Sequence, residues 1–234
     1  MSSTMIRPAS TAAGHRDALR TVGPAAAVYV GAWLTGLAIP VERLTPGSTA
    51  DAVQTHYLDH GTGVLLQATL VHLVAGLALA AFTVGAAAAV ARERRTAVLV
   101  AGLGAAVLSV LQWLVAVVAV TGSADQDATW SARLLTVITT TDSVKLVLLA
   151  ALVVSLTRAL HATAPLPRPL EILGVVLAVL LLLGAAALQV PSTTLGAALV
   201  ASLVVLLGWV GSVGAVLSRR STAASAGSTR GGRS

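Results

Sequence analysis

The sequence predicts an all-α fold, a polytopic transmembrane bundle of six spans, and three observations carry that reading. Of the 234 residues, 56% are hydrophobic and only 10% charged, far from the balance of a water-soluble domain. The apolar residues fall into long runs that approach or exceed the ~20 residues a helix needs to cross ~30 Å of hydrocarbon. Charges and helix breakers stand mostly between these runs.

Spans are expected near residues 22–40, 62–88, 97–121, 131–157, 169–190 and 194–217. Residues 22–217 then form one membrane domain between flexible cytoplasmic tails, 1–21 and 218–234, whose Ser, Thr, Ala, Gly and Arg are too polar to bury. Between the runs lie Arg92-Glu93-Arg94-Arg95, Gly122 to Asp127, Pro165-Leu166-Pro167-Arg168-Pro169 and Pro191-Ser192. The first run, Pro24 to Ile39, follows Arg7, Arg16 and Arg20 in the layout of a signal peptide. Ala38-Ile39-Pro40 offers no A-x-A-like cleavage site, so the run is read as the first span.

Orientation follows from the basic residues, because cationic loops are retained in the cytoplasm. The Arg residues of the N-terminal segment, of 92–95, of 158–168 and of the C-terminal segment share one side of the six-span arrangement. Opposite them lies Arg43, with Arg133 near an outer helix end, among Glu42, Asp51, Asp59, Asp125 and Asp127. Both termini are therefore expected in the cytoplasm, with the lipid bilayer as the principal partner. The excess of fifteen Lys and Arg over nine Asp and Glu sets topology, and without aromatic interleaving it does not indicate a nucleic-acid reader. The absence of cysteine rules out disulfides, thiolate metal sites and a catalytic thiol.

The outer segment from Val41 to His60 has helical spacing at Ala52, Val53, Tyr57 and Leu58, after a helix start at Thr45-Pro46-Gly47-Ser48. It reads either as a short helix on the outer interface or as a capped turn leading into the second span. Small residues offer close helix contacts: Gly76, Ala80 and Ala81 in the second span, Gly102 with Ala106 in the third, and Gly208, Gly211 and Gly214 in the sixth.

One polar constellation stands out. Ionisable residues inside a membrane are costly and face the protein interior. In the fourth span Thr139-Thr140-Thr141-Asp142-Ser143-Val144-Lys145 places an acid and a base three residues apart, on one helix face. At 1.5 Å per residue Asp142 lies ~16 Å from the outer helix end, Gln112 ~14 Å and His72 ~15 Å, with Lys145 one turn deeper. Packing of the second, third and fourth spans would gather His72, Gln112, Asp142 and Lys145 into one cluster. That cluster could relay protons, coordinate an ion or hold a polar group of a substrate. The reading preferred over these is that Asp142 and Lys145 neutralise one another, Gln112 and His72 satisfy the leftover donors and acceptors, and the cluster fixes helix register.

Other polar residues have simpler readings. Trp33, Trp113 and Trp209 are scattered, while Trp130 is placed as an interfacial anchor and Glu171 as a cap at the start of the fifth span. His56, Asp59 and His60 have a spacing that a metal could use, but two His and an acid in a loop are commonplace without one, and no metal site is assigned. A bis-His haem needs two deep imidazoles; only His72 is deep, since His161 belongs to the cytoplasmic end. No cofactor is expected. The chain has no G-x-S-x-G, H-E-x-x-H, P-loop or G-x-G-x-x-G fingerprint and no soluble catalytic domain, so it is not expected to be an enzyme. Residues 22–121 and 131–217 show no inverted repeat and no Pro-broken helix pair of the transporter kind.

The run Asp51-Ala52-Val53-Gln54-Thr55-His56-Tyr57-Leu58-Asp59-His60-Gly61-Thr62-Gly63, entering a long Ala- and Leu-rich helix, resembles a group of uncharacterised actinobacterial multi-pass membrane proteins. The Asp-Ser-x-Lys interruption at Asp142 to Lys145 is similar to that group as well. The resemblance implies a bacterial plasma membrane and carries no mechanism. The leading expectation is a structural or interaction role, with a membrane-protein partner or a second copy of the chain. The alternative is a small-molecule or proton- or ion-coupled carrier built on the Asp-Lys-His-Gln cluster.

Overall fold

The computed structural model describes residues 10–42, 44, 47–190 and 192–230, with side chains from 18 to 220 of these. Expectations on Arg7, Arg43, Thr45, Pro46, Pro191 and Arg233 lie outside the described residues, as do the side chains of Arg16 and Arg230. Six long helices account for the described chain: α1 (Ser10–Leu37), α2 (Ala50–Ala88), α3 (Arg92–Gly122), α4 (Ala128–Thr163), α5 (Arg168–Ala187) and α6 (Thr193–Arg230). No strand occurs among them.

Starts and stops have local causes. Thr49 caps α2 by accepting the Ala52 amide at 3.3 Å, and Asp127 caps α4 by accepting the Trp130 amide at 2.7 Å. Pro169 sits in the first turn of α5, where its missing N–H costs nothing. At the opposite end of the bundle arginines satisfy carbonyls near helix termini: Arg94 donates to Arg158 O at 2.9 Å and Arg220 to Pro165 O at 2.6 Å.

Five helices, α2 to α6, are long and apolar enough to cross a membrane. The protein is thus an all-helical integral membrane protein. α1 is not one of the five, because Arg20, Gly23, Pro24, Gly31, Thr35 and Gly36 dilute its apolar content. It nevertheless packs within the bundle, burying Val22, Ala26, Tyr29 and Ala32. Helix also continues through residues 10–21 and 218–230, which the sequence assigns to tails. Gly85 of α2 lies so near α1 that a Cβ there would stand 2.7 Å from Ala18 O.

Residues 50–61 form neither an interfacial helix nor a separate turn. They are the first three turns of α2, whose 39 residues would reach ~58 Å, nearly twice the hydrocarbon thickness. Gln54 anchors this extension by donating to Ser123 O at 3.0 Å and Gln126 O at 2.7 Å, at the end of α3. Val53 and Tyr57 bury against Ala119 in a small apolar cluster of their own.

The helices pack in chain order, and α6 returns against α1, closing a ring. Small residues set two of the seams. A Cβ on Gly102 of α3 would run into the buried Thr83 of α2, and one on Gly214 of α6 would run into Ala26 of α1. Gly208, by contrast, has open space where its Cβ would be, because it faces outward, so it makes no close helix contact. Gly102→Leu is therefore expected to destabilise the bundle by about 1–3 kcal/mol through overpacking, while Gly208→Leu stays within about 0.5 kcal/mol of the parent. Thermal unfolding in a single detergent ranks the two; equal melting temperatures would contradict the seam.

Candidate functional site

Lys145 is the hub of the polar cluster. Its ammonium lies 2.6 Å from Asp142 Oδ1, donates to Gln112 Oε1 at 2.6 Å and approaches His72 Nδ1 at 3.5 Å, the outer limit of a hydrogen bond. An ammonium has three N–H donors and no acceptor, so these three contacts engage it fully. Since it can only donate, the facing His72 Nδ1 is an acceptor and the ring proton of the neutral imidazole sits on Nε2. Gln112 is also committed at both ends, with Nε2 donating to Ile138 O at 3.1 Å. The structure thus brings together all four residues that the sequence singles out.

Three helices supply these groups, and each has a local reason for doing so. On α4 the i, i+3 spacing stacks Asp142 over Lys145. On α3 Gln112 is 1% exposed on the buried stripe that includes Ser109 and Ala116. On α2 the six residues Thr69–Val74, with His72 among them, form a π-helical turn inside an otherwise α-helical rod. Such a turn inserts an extra residue and re-aims the side chains around it, and these turns recur at functional sites. Thr69 supports it by donating to Leu65 O at 2.7 Å while accepting Trp113 Nε1 at 3.1 Å. Nothing in the local sequence, Thr-Leu-Val-His-Leu-Val, signals the π geometry.

Three members of the cluster, His72, Asp142 and Lys145, line a cavity of about 390 Å³, while Gln112 is not part of its wall. This cavity runs from Glu42 in the α1–α2 connection and His56 in the first turns of α2, past the cluster, to Leu79 and Leu206 deeper in the bundle. All six helices contribute to its wall, which is mostly Leu, Val and Ala. Tyr29, Trp33 and Leu37 present one face of α1 to it at i, i+4 and i+8, a spacing visible in the sequence but not read there as a site. Ser109 and Thr139 add hydroxyls to the lining and were likewise missed. The acid and the base meet the cavity unequally: the Asp142 side chain keeps 29% of its surface exposed and that of Lys145 only 5%.

Other polar residues make contacts outside the cluster, although Gln67 and His56 also line the cavity. Gln67 donates to Gly36 O at 3.2 Å, joining α2 to the end of α1. His56 and His60 stack with ring centroids 5.3 Å apart, and no group of three His, Asp or Glu side chains able to hold a metal occurs among the described residues. Glu171 makes no side-chain cap on α5; its carboxylate meets His161 Nδ1 at 2.9 Å instead. Trp130 packs over Gly122 at the end of α3, and Trp209 is fully buried in the core.

Comparison with known proteins gives no matching family, no similar curated protein and no similar solved structure.

Removing one member of a buried pair strands the other's charge and typically costs about 3–5 kcal/mol. Lys145→Met and Asp142→Asn should each lower the melting temperature in nanodiscs, with Lys145→Met the more harmful because it also orphans Gln112 and His72. The Asp142→Asn/Lys145→Met double variant should recover most of the loss. Singles that melt with the parent would show that the pair does not hold the helices together.

Proposed function

We propose that this protein is a ligand-binding membrane protein of the carrier type, which takes a small molecule into the cavity and holds its polar part against Asp142, Lys145 and His72, with Gln112 supporting Lys145 from behind. One observation carries the reading: the only ion pair among the described residues within the apolar wall borders a cavity instead of being sealed between helices. A volume of about 390 Å³ falls in the range of small-molecule sites. Polar residues that fix a ligand's orientation are few and convergent in such sites, as they are here. The protein is read as a non-enzyme, since the cluster sets no nucleophile against a base.

A register-fixing role is the second reading, favoured by the saturation of Lys145 with three internal partners. In that case the ligand is incidental and the chain acts through a membrane-protein partner or a second copy. The six-span topology with both termini in the cytoplasm belongs to the same proposal, supported by the basic residues at 92–95 and 219–220 and by the closure of α1 onto α6. So do the bacterial plasma membrane and kinship with the actinobacterial group, which rest on residues 51–63.

The chain has no native cysteine, so single cysteines report cleanly. In intact cells, Asp51→Cys and Ser109→Cys should react with a small membrane-impermeant thiol reagent, whereas Glu93→Cys should react only after permeabilisation. Protection of Ser109→Cys while Asp51→Cys reacts would mean that the cavity is closed to the outside, and the carrier reading would fall.

A further inference from the structure

We infer that the cavity selects a lipophilic organic monocation, a protonated or quaternary amine on an apolar body; this inference rests on the ligand-binding reading above. The charge of the wall is the first reason. Among the described residues the cavity is lined by two acids, Glu42 and Asp142, and one base, Lys145, so with neutral histidines it carries one net negative charge. Bringing a cation out of water into an apolar space is costly unless a counter-charge awaits it, and here one does.

The second reason is which of the paired charges a ligand can touch. Lys145 has spent its three N–H donors on Asp142, Gln112 and His72 and is sheathed to 5% exposure, so an anion could bind it only by displacing an internal partner. Asp142 gives Lys145 one oxygen and meets Gln112 by a side-chain hydrogen bond, yet keeps 29% of its side chain open. A carboxylate accepts at both oxygens, so it can receive an ammonium without surrendering the lysine. The cluster therefore displays its acid and hides its base.

The third reason is the aromatic face. Tyr29 and Trp33 of α1 and Tyr57 of α2 line the same cavity. Aromatic faces attract organic cations through the ring quadrupole, most strongly where water is excluded. The rest of the wall is mostly aliphatic, with the polar groups of Gln67, Ser109, Thr139 and Ser202 spread through it, which suits an apolar body better than a solute polar all round such as a sugar.

The test is equilibrium binding of radiolabelled tetraphenylphosphonium to the full chain in phosphatidylcholine nanodiscs, with empty discs subtracted. The parent should bind saturably, and decyltrimethylammonium should displace the probe while decyl sulfate does not. Asp142→Asn should weaken binding about tenfold or more, and Glu42→Gln and Trp33→Leu about threefold to tenfold each. Melting curves are recorded alongside; should Asp142→Asn fail to fold, Glu42→Gln and Trp33→Leu, which lie outside the ion pair, decide the matter. Unchanged affinity in the folded variants, or equal displacement by decyl sulfate, would overturn the cation selectivity. Saturable binding of radiolabelled decyl sulfate without any binding of tetraphenylphosphonium would reject the cation yet leave a ligand site standing. No saturable binding of either probe, together with an unreactive Ser109→Cys, would remove the ligand-binding reading as well.

Discussion

The constraint on which the site depends is the single ammonium of Lys145, held among apolar helices with its side chain only 5% exposed. A lysine at such depth is tolerated when acceptors surround it, and here they come from three helices: Asp142 on its own, Gln112 on α3 and His72 on α2. That requirement fixes the relative height and rotation of α2, α3 and α4 more tightly than the aliphatic contacts can. Leu and Val pack against lipid tails about as well as against each other, so they specify position weakly. The polar contacts accept little displacement, because hydrogen bonds weaken within a few tenths of an ångström and a modest angle.

The π-helical turn at Thr69–Val74 follows from the same demand. α2 must meet α3 through Gly76 and Thr83 in its lower half and reach Gln126 with Gln54 in its upper half. One extra residue in a turn shifts the phase of everything above it relative to everything below. The rod can thereby satisfy both sets of partners and still point His72 at Lys145. The cost is a looser backbone ladder over six residues, which Thr69 and Trp113 brace from the side. The defect, the histidine and the cavity occur at one level of one helix.

Much of this was legible in the sequence, and the reasons differ residue by residue. The positions of α3 to α6 follow from composition, since few arrangements of such apolar runs avoid the membrane. The meeting of His72, Gln112, Asp142 and Lys145 follows from counting depth, because a helix converts residue number into height with little error over ten residues. What a depth count cannot supply is facing. It puts Lys145 a turn below Asp142 without ranking the two, whereas rotation makes Lys145 the hub and leaves Asp142 the exposed member. Nor could it supply the cavity, which is a property of six helices at once. Gly208 was misread for the same reason: a glycine marks a close approach only if it faces a neighbour, and facing on α6 is set by Trp209, Val210 and Val213, which take the buried positions.

α1 shows how the ring and the cavity are linked. Its buried stripe, Val22, Ala26, Tyr29 and Ala32, packs inward, while its outward positions include the small or polar Pro24, Ala27, Gly31 and Thr35. α5 by contrast turns Ile172, Val175, Val176 and Val179 outward. A window average judges a helix by both faces, so it rates α1 below the others although the helix closes the ring between α6 and α2. Were α1 absent, the cavity would lose Tyr29 and Trp33 and open sideways between α2 and α6, and the polar cluster would face whatever surrounds the bundle. The least hydrophobic helix is therefore the one that turns a cleft into an enclosed site. Its modest apolarity is consistent with a segment held in place by its neighbours more than by lipid.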